Sequence, residues 1–145
     1  MAGALFPIFE VPKIMEENLE YDSRYKRSMK WDTEKGDFVR NGINRIAECS
    51  GEEAFMMWCY KIAQTERYTC LAYPSEIGVE MEAAMEDNDE KTVESMVERT
   101  ITDALMINPR TESVKNFTFI WNGNEMHCTF QVKGIEWEKL ITITI

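Results

Sequence analysis

Apolar residues along the middle of the chain recur at three- and four-residue steps, the spacing that lines one face of a helix. Ala54, Phe55, Trp58, Cys59 and Ile62 form the first such stripe. Ser50-Gly51-Glu52-Glu53 before it reads as a capping box: the serine hydroxyl accepts a first-turn N–H and Glu53 reaches back to the cap N–H. This helix should end near Gln64-Thr65. A short extended piece from Tyr68 to Tyr73 follows, and then Ser75 to Glu86 predicts a second helix with a looser face of Ile77, Val79, Met81, Ala84 and Met85. Asp87-Asn88-Asp89 breaks the chain and recaps it. The third helix carries Val93, Met96, Val97, Ile101, Ala104 and Leu105 on one face and runs through Met106. It stops at Asn108-Pro109, because proline disfavours helical geometry in the residue before it.

From Ser113 onward the period changes to two. Val114 to Trp121 predicts a strand, and Asn122-Gly123 a hairpin turn, since both residues tolerate a positive φ. Met126, Cys128, Phe130 and Val132 then alternate with His127, Thr129, Gln131 and Lys133, the pattern of a half-buried strand. Gly134 to Glu136 turns the chain, and Leu140, Ile141, Thr142, Ile143, Thr144 and Ile145 make a last strand. Nearer the start, Arg27 to Val39 reads as another hairpin around Asp32-Thr33-Glu34-Lys35-Gly36-Asp37. Ala4 to Pro12 is apolar with two prolines, which remove backbone donors and favour extended chain. It predicts an arm that docks on its own domain or a neighbour through Leu5, Phe6, Pro7, Ile8 and Phe9, with a short helix from Lys13 to Glu20 behind it.

Helices segregated from an antiparallel sheet make an α+β fold. The expected architecture is a single domain of about three helices on an antiparallel sheet that ends in a C-terminal β-meander. An extended N-terminal arm precedes it. The last strand is β-branched and nearly uncharged, so an uncovered edge there would invite pairing with other chains. Either it sits centrally in the sheet, or a partner's strand completes it by β-augmentation.

Composition narrows the function. A length of 145 residues fits one domain, and 44% apolar with 29% charged residues is a globular balance. Sixteen basic against 26 acidic residues give a net charge of −10, which argues against nucleic acid as the main partner. The imbalance lies between Ile46 and Ile107, where four basic residues face 14 acidic ones. That is either a solvated helical face or a surface that steers a basic partner. No apolar run reaches the ~18–20 residues of a membrane span, and no signal peptide is expected.

Catalytic chemistry finds little support. Cys49, Cys59, Cys70 and Cys128 form no C-x-x-C pair and read as reduced thiols, and the lone imidazole of His127 has no second one to help it. No phosphate loop, zinc-protease or nucleophile-elbow motif is present. Carboxylate pairs such as Glu52/Glu53 and Glu136/Glu138 are expected by chance at this acid content. Neither a cofactor nor a metal is expected, and the chain reads as a non-enzyme.

The segment from Ser50 to Val132 resembles a known family in a series of collinear pieces. These are Gly51-Glu52-Glu53-Ala54 with Trp58, then Thr65-Glu66-Arg67-Tyr68, then Tyr73 and Ile77-Gly78 with Glu80. They continue through Arg99-Thr100-Ile101-Thr102-Asp103-Ala104-Leu105, Asn108-Pro109-Arg110-Thr111 and Phe117-Thr118-Phe119. Together they resemble the sheath initiators of contractile phage tails and tail-like bacteriocins, in the branch found in prophages of Gram-positive bacteria. The resemblance divides the chain into an arm, 1–20, and a sheath-initiator-like α+β domain, 21–145. It implies a baseplate protein that links wedge and hub to the sheath and templates the first sheath ring by exchanging β-strands. The implied partners are the tail sheath protein, the wedge (triplex) proteins and the tube or hub proteins, with six copies around the tube. Assembly in the bacterial host cytoplasm, without nucleic acid or membrane, would follow.

The wider family carries Glu-Pro-Arg where this chain has Asn108-Pro109-Arg110. The resemblance implies that Pro109 and Arg110 help dock the protein on the wedge; the alternative is a plain helix stop with an exposed cation. It also implies that the strand-exchange surface is Leu140 to Ile145, with Phe117 to Trp121 as a second edge. Two other classes stay open: a small cytosolic regulator that binds one protein partner, and a tail-borne cell-wall glycosidase. The native mass of a co-expressed complex separates a ring from a one-to-one pair, and turbidity loss on purified walls reports the enzyme.

Overall fold

A computed structural model of the chain describes residues 26–137 and 141–145. The arm with Leu5 to Phe9, the helix expected from Lys13 to Glu20, and Leu140 lie outside the described residues. Within them the chain runs through β1 (Ser28–Met29), β2 (Trp31–Asp32), β3 (Asp37–Phe38), β4 (Glu48–Cys49), α1 (Gly51–Gln64), α2 (Met81–Ala84), α3 (Glu90–Met106), β5 (Thr111–Asn122), β6 (Glu125–Gly134) and β7 (Ile141–Thr144).

The main sheet is antiparallel in the order β5-β6-β7. Alternation along β6 works as the sequence implies: Cys128, Phe130 and Val132 are buried, while His127 points to solvent. Helix α3 lies along β5, and α1 lies along β7 and against α3. Their stripes meet the sheet in one core, with Phe55, Cys59 and Ile62 from α1 and Val97, Ile101 and Leu105 from α3. Trp137 closes one end, its ring 5.0 Å from that of Phe55. Gly134 lies beneath that indole, where an added Cβ would sit 2.5 Å from Cε3 of Trp137.

The N-terminal hairpin forms, but it is not isolated. β2 pairs with β3, while β1 pairs with β4. The two ladders are joined by a ring of three bonds, in which Lys30 N donates to Ala47 O, Ala47 N to Val39 O, and Val39 N to Lys30 O. A small second core of Cys49, Ala54 and Met57 binds this layer to α1, with Trp31 and Met56 packed on it.

Four local expectations fail for identifiable reasons. Ser50 caps α1 in extended geometry but makes no side-chain cap bond. The chain enters the helix through Gly51 at φ +61°, and the Glu53 carboxylate is held 2.6 Å from the Lys30 ammonium instead of turning back. The second helix shrinks to Met81–Ala84. Gly78 at φ +104° breaks its first half, and Val79 bridges in parallel to Glu66. Tyr68 to Tyr73 is a chain of exposed turns, with Tyr68 itself at φ +69°. Met96 lies on the open side of α3, 41% exposed, because the helix packs through Val93, Val97 and Ile101.

Candidate functional site

The last strand does not sit centrally. β7 pairs with β6 only, and no described strand pairs its outer side. The ladder register decides what that edge offers. Ile145 and Cys128 exchange both backbone bonds, N–H to O at 2.9 and 3.0 Å. Antiparallel pairs alternate, so Ile143 opposite Phe130 and Ile141 opposite Val132 also bond inward. The N–H and C=O groups of Thr142 and Thr144 therefore face outward. At the non-bonded pair Thr129/Thr144 the two hydroxyls meet at 3.0 Å, as the closer spacing of such pairs allows.

The opposite edge of the sheet is guarded. β5 bulges between Lys115 and Thr118, so that Asn116 and Phe117 together face Phe130. Asn116 takes φ +57° and donates from Nδ2 to Gln131 Oε1 at 2.6 Å. A bulge of this kind discourages edge pairing. Phe117, Phe119 and Trp121 pack onto the core, and the Trp121 indole donates to Glu94 at 2.9 Å. Among the described residues the two edges are thus unequal, and β7 is the one left unpaired.

A groove of about 470 Å³ opens beside Thr144, walled by Trp31 and Val39 on one side and Met56, Met57 and Tyr60 on the other. The hairpin wall is pinned to α1 by the Lys30–Glu53 ion pair and by Lys61, whose Nζ lies 5.8 Å from the Phe38 ring centre. Trp31 meets Phe38 edge to face at 4.9 Å, and the Tyr60 hydroxyl accepts from Gln64 at 3.0 Å. Sequence reasoning missed this groove. Its signal is Met56, Met57 and Tyr60, apolar positions lying outside the stripe that faces the sheet.

Pro109 and Arg110 stand apart from that groove, at the join of α3 and β5. The alternative of a plain helix stop with an exposed cation is overturned: Arg110 is only 8% exposed. Its Nη1 lies 3.1 Å from Glu136 Oε1, and its carbonyl accepts from Ile135 N at 2.9 Å. Arg110 therefore holds the turn that leads from β6 towards β7. Asn108 acts in the α3–β5 join itself, where its side-chain oxygen accepts from Arg110 N at 3.0 Å, a local bond suited to a short amide.

Burial pushes the Cys59 and Cys128 thiols up to about 12, which keeps them protonated and inert. Cys49 is buried as well, and Cys70 is exposed; all four are free thiols. Among the described residues no cluster of His, Cys, Asp and Glu could hold a metal ion, and no helix is long and apolar enough to cross a membrane.

Comparison with known proteins relates the chain to a family and to a prophage protein. The family described as contractile injection system sheath initiator matches over residues 27–137. The phage-like element PBSX protein XkdS of Bacillus subtilis (strain 168) is 28% identical over 127 residues, which is 86% of this chain and 88% of the relative.

Proposed function

The chain belongs to the contractile injection system sheath initiator family, and on that premise we propose that it is the baseplate template on which the first sheath ring assembles. In this reading six copies surround the tube. Each is held to the wedge through the region of Pro109 and Arg110, and the arm at Leu5 to Phe9 docks on a neighbour. Each offers its Leu140 to Ile145 edge to a strand of the sheath protein. The product is geometry: the symmetry of the initiator ring is copied into the sheath above it. The particle forms in the cytoplasm of the bacterial host.

The outer edge of β7 carries this reading. Thr142 and Thr144 present donors and acceptors in the spacing a strand needs, and no described strand of the chain takes them. Each main-chain bond adds only ~0.5–1.5 kcal/mol net, but several bonds repeated around a ring bind cooperatively through multivalency. Membership of a family named for a structural part of an injection apparatus agrees with a role without chemistry.

Proline substitution tests it. Thr144→Pro removes an outward N–H and keeps the inward ladder, whereas Ile143→Pro removes an inward one. Thr144→Pro should fold with a near-native melting midpoint and fail to co-purify with sheath protein. Ile143→Pro should melt early. Normal sheath assembly on the Thr144→Pro protein would refute strand addition at this edge.

A further inference from the structure

Resting on that reading, we propose that the groove beside Thr144 reads the side chains of the incoming strand. Its occupant is an extended segment of a partner protein, with large apolar residues at every second position, polar residues between them and a cation at one flank. Paired residues on neighbouring strands share a face of the sheet. A residue placed opposite Thr144 or Thr142 therefore lies on the face of Thr129 and Gln131, which is polar. A residue opposite Ile143 or Ile145 lies on the face of Phe130 and Cys128, where α1 covers the sheet. Beyond β7 that face runs into the groove, whose walls Trp31, Met56, Met57 and Tyr60 are apolar or aromatic.

The groove and the unpaired edge are continuous, since Thr144 belongs to both. A strand bonded to that edge would lay alternate side chains against α1 and the hairpin. The mouth is acidic: Asp32, Glu34 and Glu53 lie there with Lys30, and Glu53 is already paired with it. Asp32 is paired with Lys35 at 3.7 Å and accepts from the Glu34 and Lys35 N–H groups, so Glu34 is the carboxylate that favours a Lys or Arg beside the apolar positions. Methionines suit such a site because their flexible side chains refit to different guests, and the tyrosine supplies a rigid anchor.

The experiment uses the full chain co-expressed with the tail sheath protein of the same particle. Tyr60→p-benzoylphenylalanine should cross-link, on irradiation, to an extended segment of the sheath protein with apolar residues in alternation. The same label at Ile120, exposed on the guarded strand, should not. Tyr60→Ala strips a half-buried ring from the core, so it should melt a few degrees lower, remain folded and bind sheath about tenfold more weakly, the usual loss for an anchor residue. Tyr73→Ala, on a distant exposed loop, should bind normally. If Thr144→Pro abolishes binding while Tyr60→Ala stays within about twofold, or the captured segment lacks the alternation, the groove inference alone falls. A cross-link from position 60 to residues 1–25 of this chain overturns it too, since the groove would then belong to the arm. If Thr144→Pro binds normally, strand addition itself falls.

Discussion

Arg110 shows how much a single side chain can change meaning once its neighbours are known. In the sequence it is a cation after a proline; in the fold its guanidinium is buried against Glu136. Arg110→Ala would empty a buried position and leave the more exposed Glu136 carboxylate without that partner. The variant should lose about 2–3 kcal/mol, read as a lower midpoint in urea. Loss of wedge attachment in that variant would therefore reflect a displaced turn as much as a lost contact. Gly134→Ala belongs beside it, because the added methyl meets the Trp137 ring; overpacking should cost about 1–3 kcal/mol. The thiols make a further test. At pH 8 only Cys70 should react quickly with a thiol reagent in the native protein, and all four in denaturant. Burial raises Cys59 and Cys128 in the fold from the ordinary 9.0 to about 12. The unfolded chain therefore releases those protons first as pH rises. Stability is fully present below about pH 9 and should decline from there towards pH 12, read by denaturant melts. A flat profile across that window would contradict the burial of these thiols.

Among the elements, the two long helices differ at their starts, and the difference is measurable. Asp89 caps α3 by accepting from Thr92 N at 3.1 Å and from the Thr92 hydroxyl at 2.7 Å. Asp89→Ala should cost about 1 kcal/mol. Ser50→Ala should cost almost nothing, because the Ser50 side chain makes no cap bond. Equal losses in the two variants would mean that the Ser50 hydroxyl does cap α1 in solution. Both starts carry a good signal in the sequence, yet only one is realised. The competitor at Ser50 is tertiary: Lys30 comes from the hairpin and takes Glu53 away. The shortened α2 follows the same logic. Its apolar spacing suits a helix, but Arg67 donates to the Gly78 carbonyl at 3.1 and 3.3 Å, and Val79 N bonds to Thr65 O at 2.8 Å. Those bonds hold 65–80 as a closed loop, and a Cβ at Gly78 would come 2.5 Å from Thr65 O.

The whole molecule is an unequal sheet under two helices, with one edge bulged and one edge clean. β7 is therefore a structural strand and, in the proposed function, also the interface. Ile145 packs on the main core, and α1 lies along β7. Deleting residues 139–145 would remove that support along with the edge, and the melting midpoint should fall by on the order of 10 °C. A truncated protein that melts like the intact one would show that β7 adds little to the fold. The proline pair at Ile143 and Thr144 separates the two roles, because each removes one N–H from a different side of the same strand. The acidic region between Ile46 and Ile107 surrounds none of this edge exclusively; it spans both helices and the loop between them. Its charge acts over the surface as a whole, and steering of a basic partner would show as an association rate that falls with salt.

The sequence alone determined the elements with strong periodic signals: α1, α3, the alternation of β6 and the final hairpin, hence the α+β class. These depend on local spacing and on burial of one face, which a linear pattern records directly. It also carried the collinear residues by which the family resemblance is recognised. Tertiary structure decided which of two caps forms, that Gly78 closes a loop instead of sitting in a helix, and that Arg110 is buried. It alone placed β7 at an edge with Thr142 and Thr144 facing outward, and brought Trp31 across to Met57 and Tyr60. Those outcomes arise from competition between groups far apart in the chain, and distance in the fold is set by packing rather than by order along the backbone.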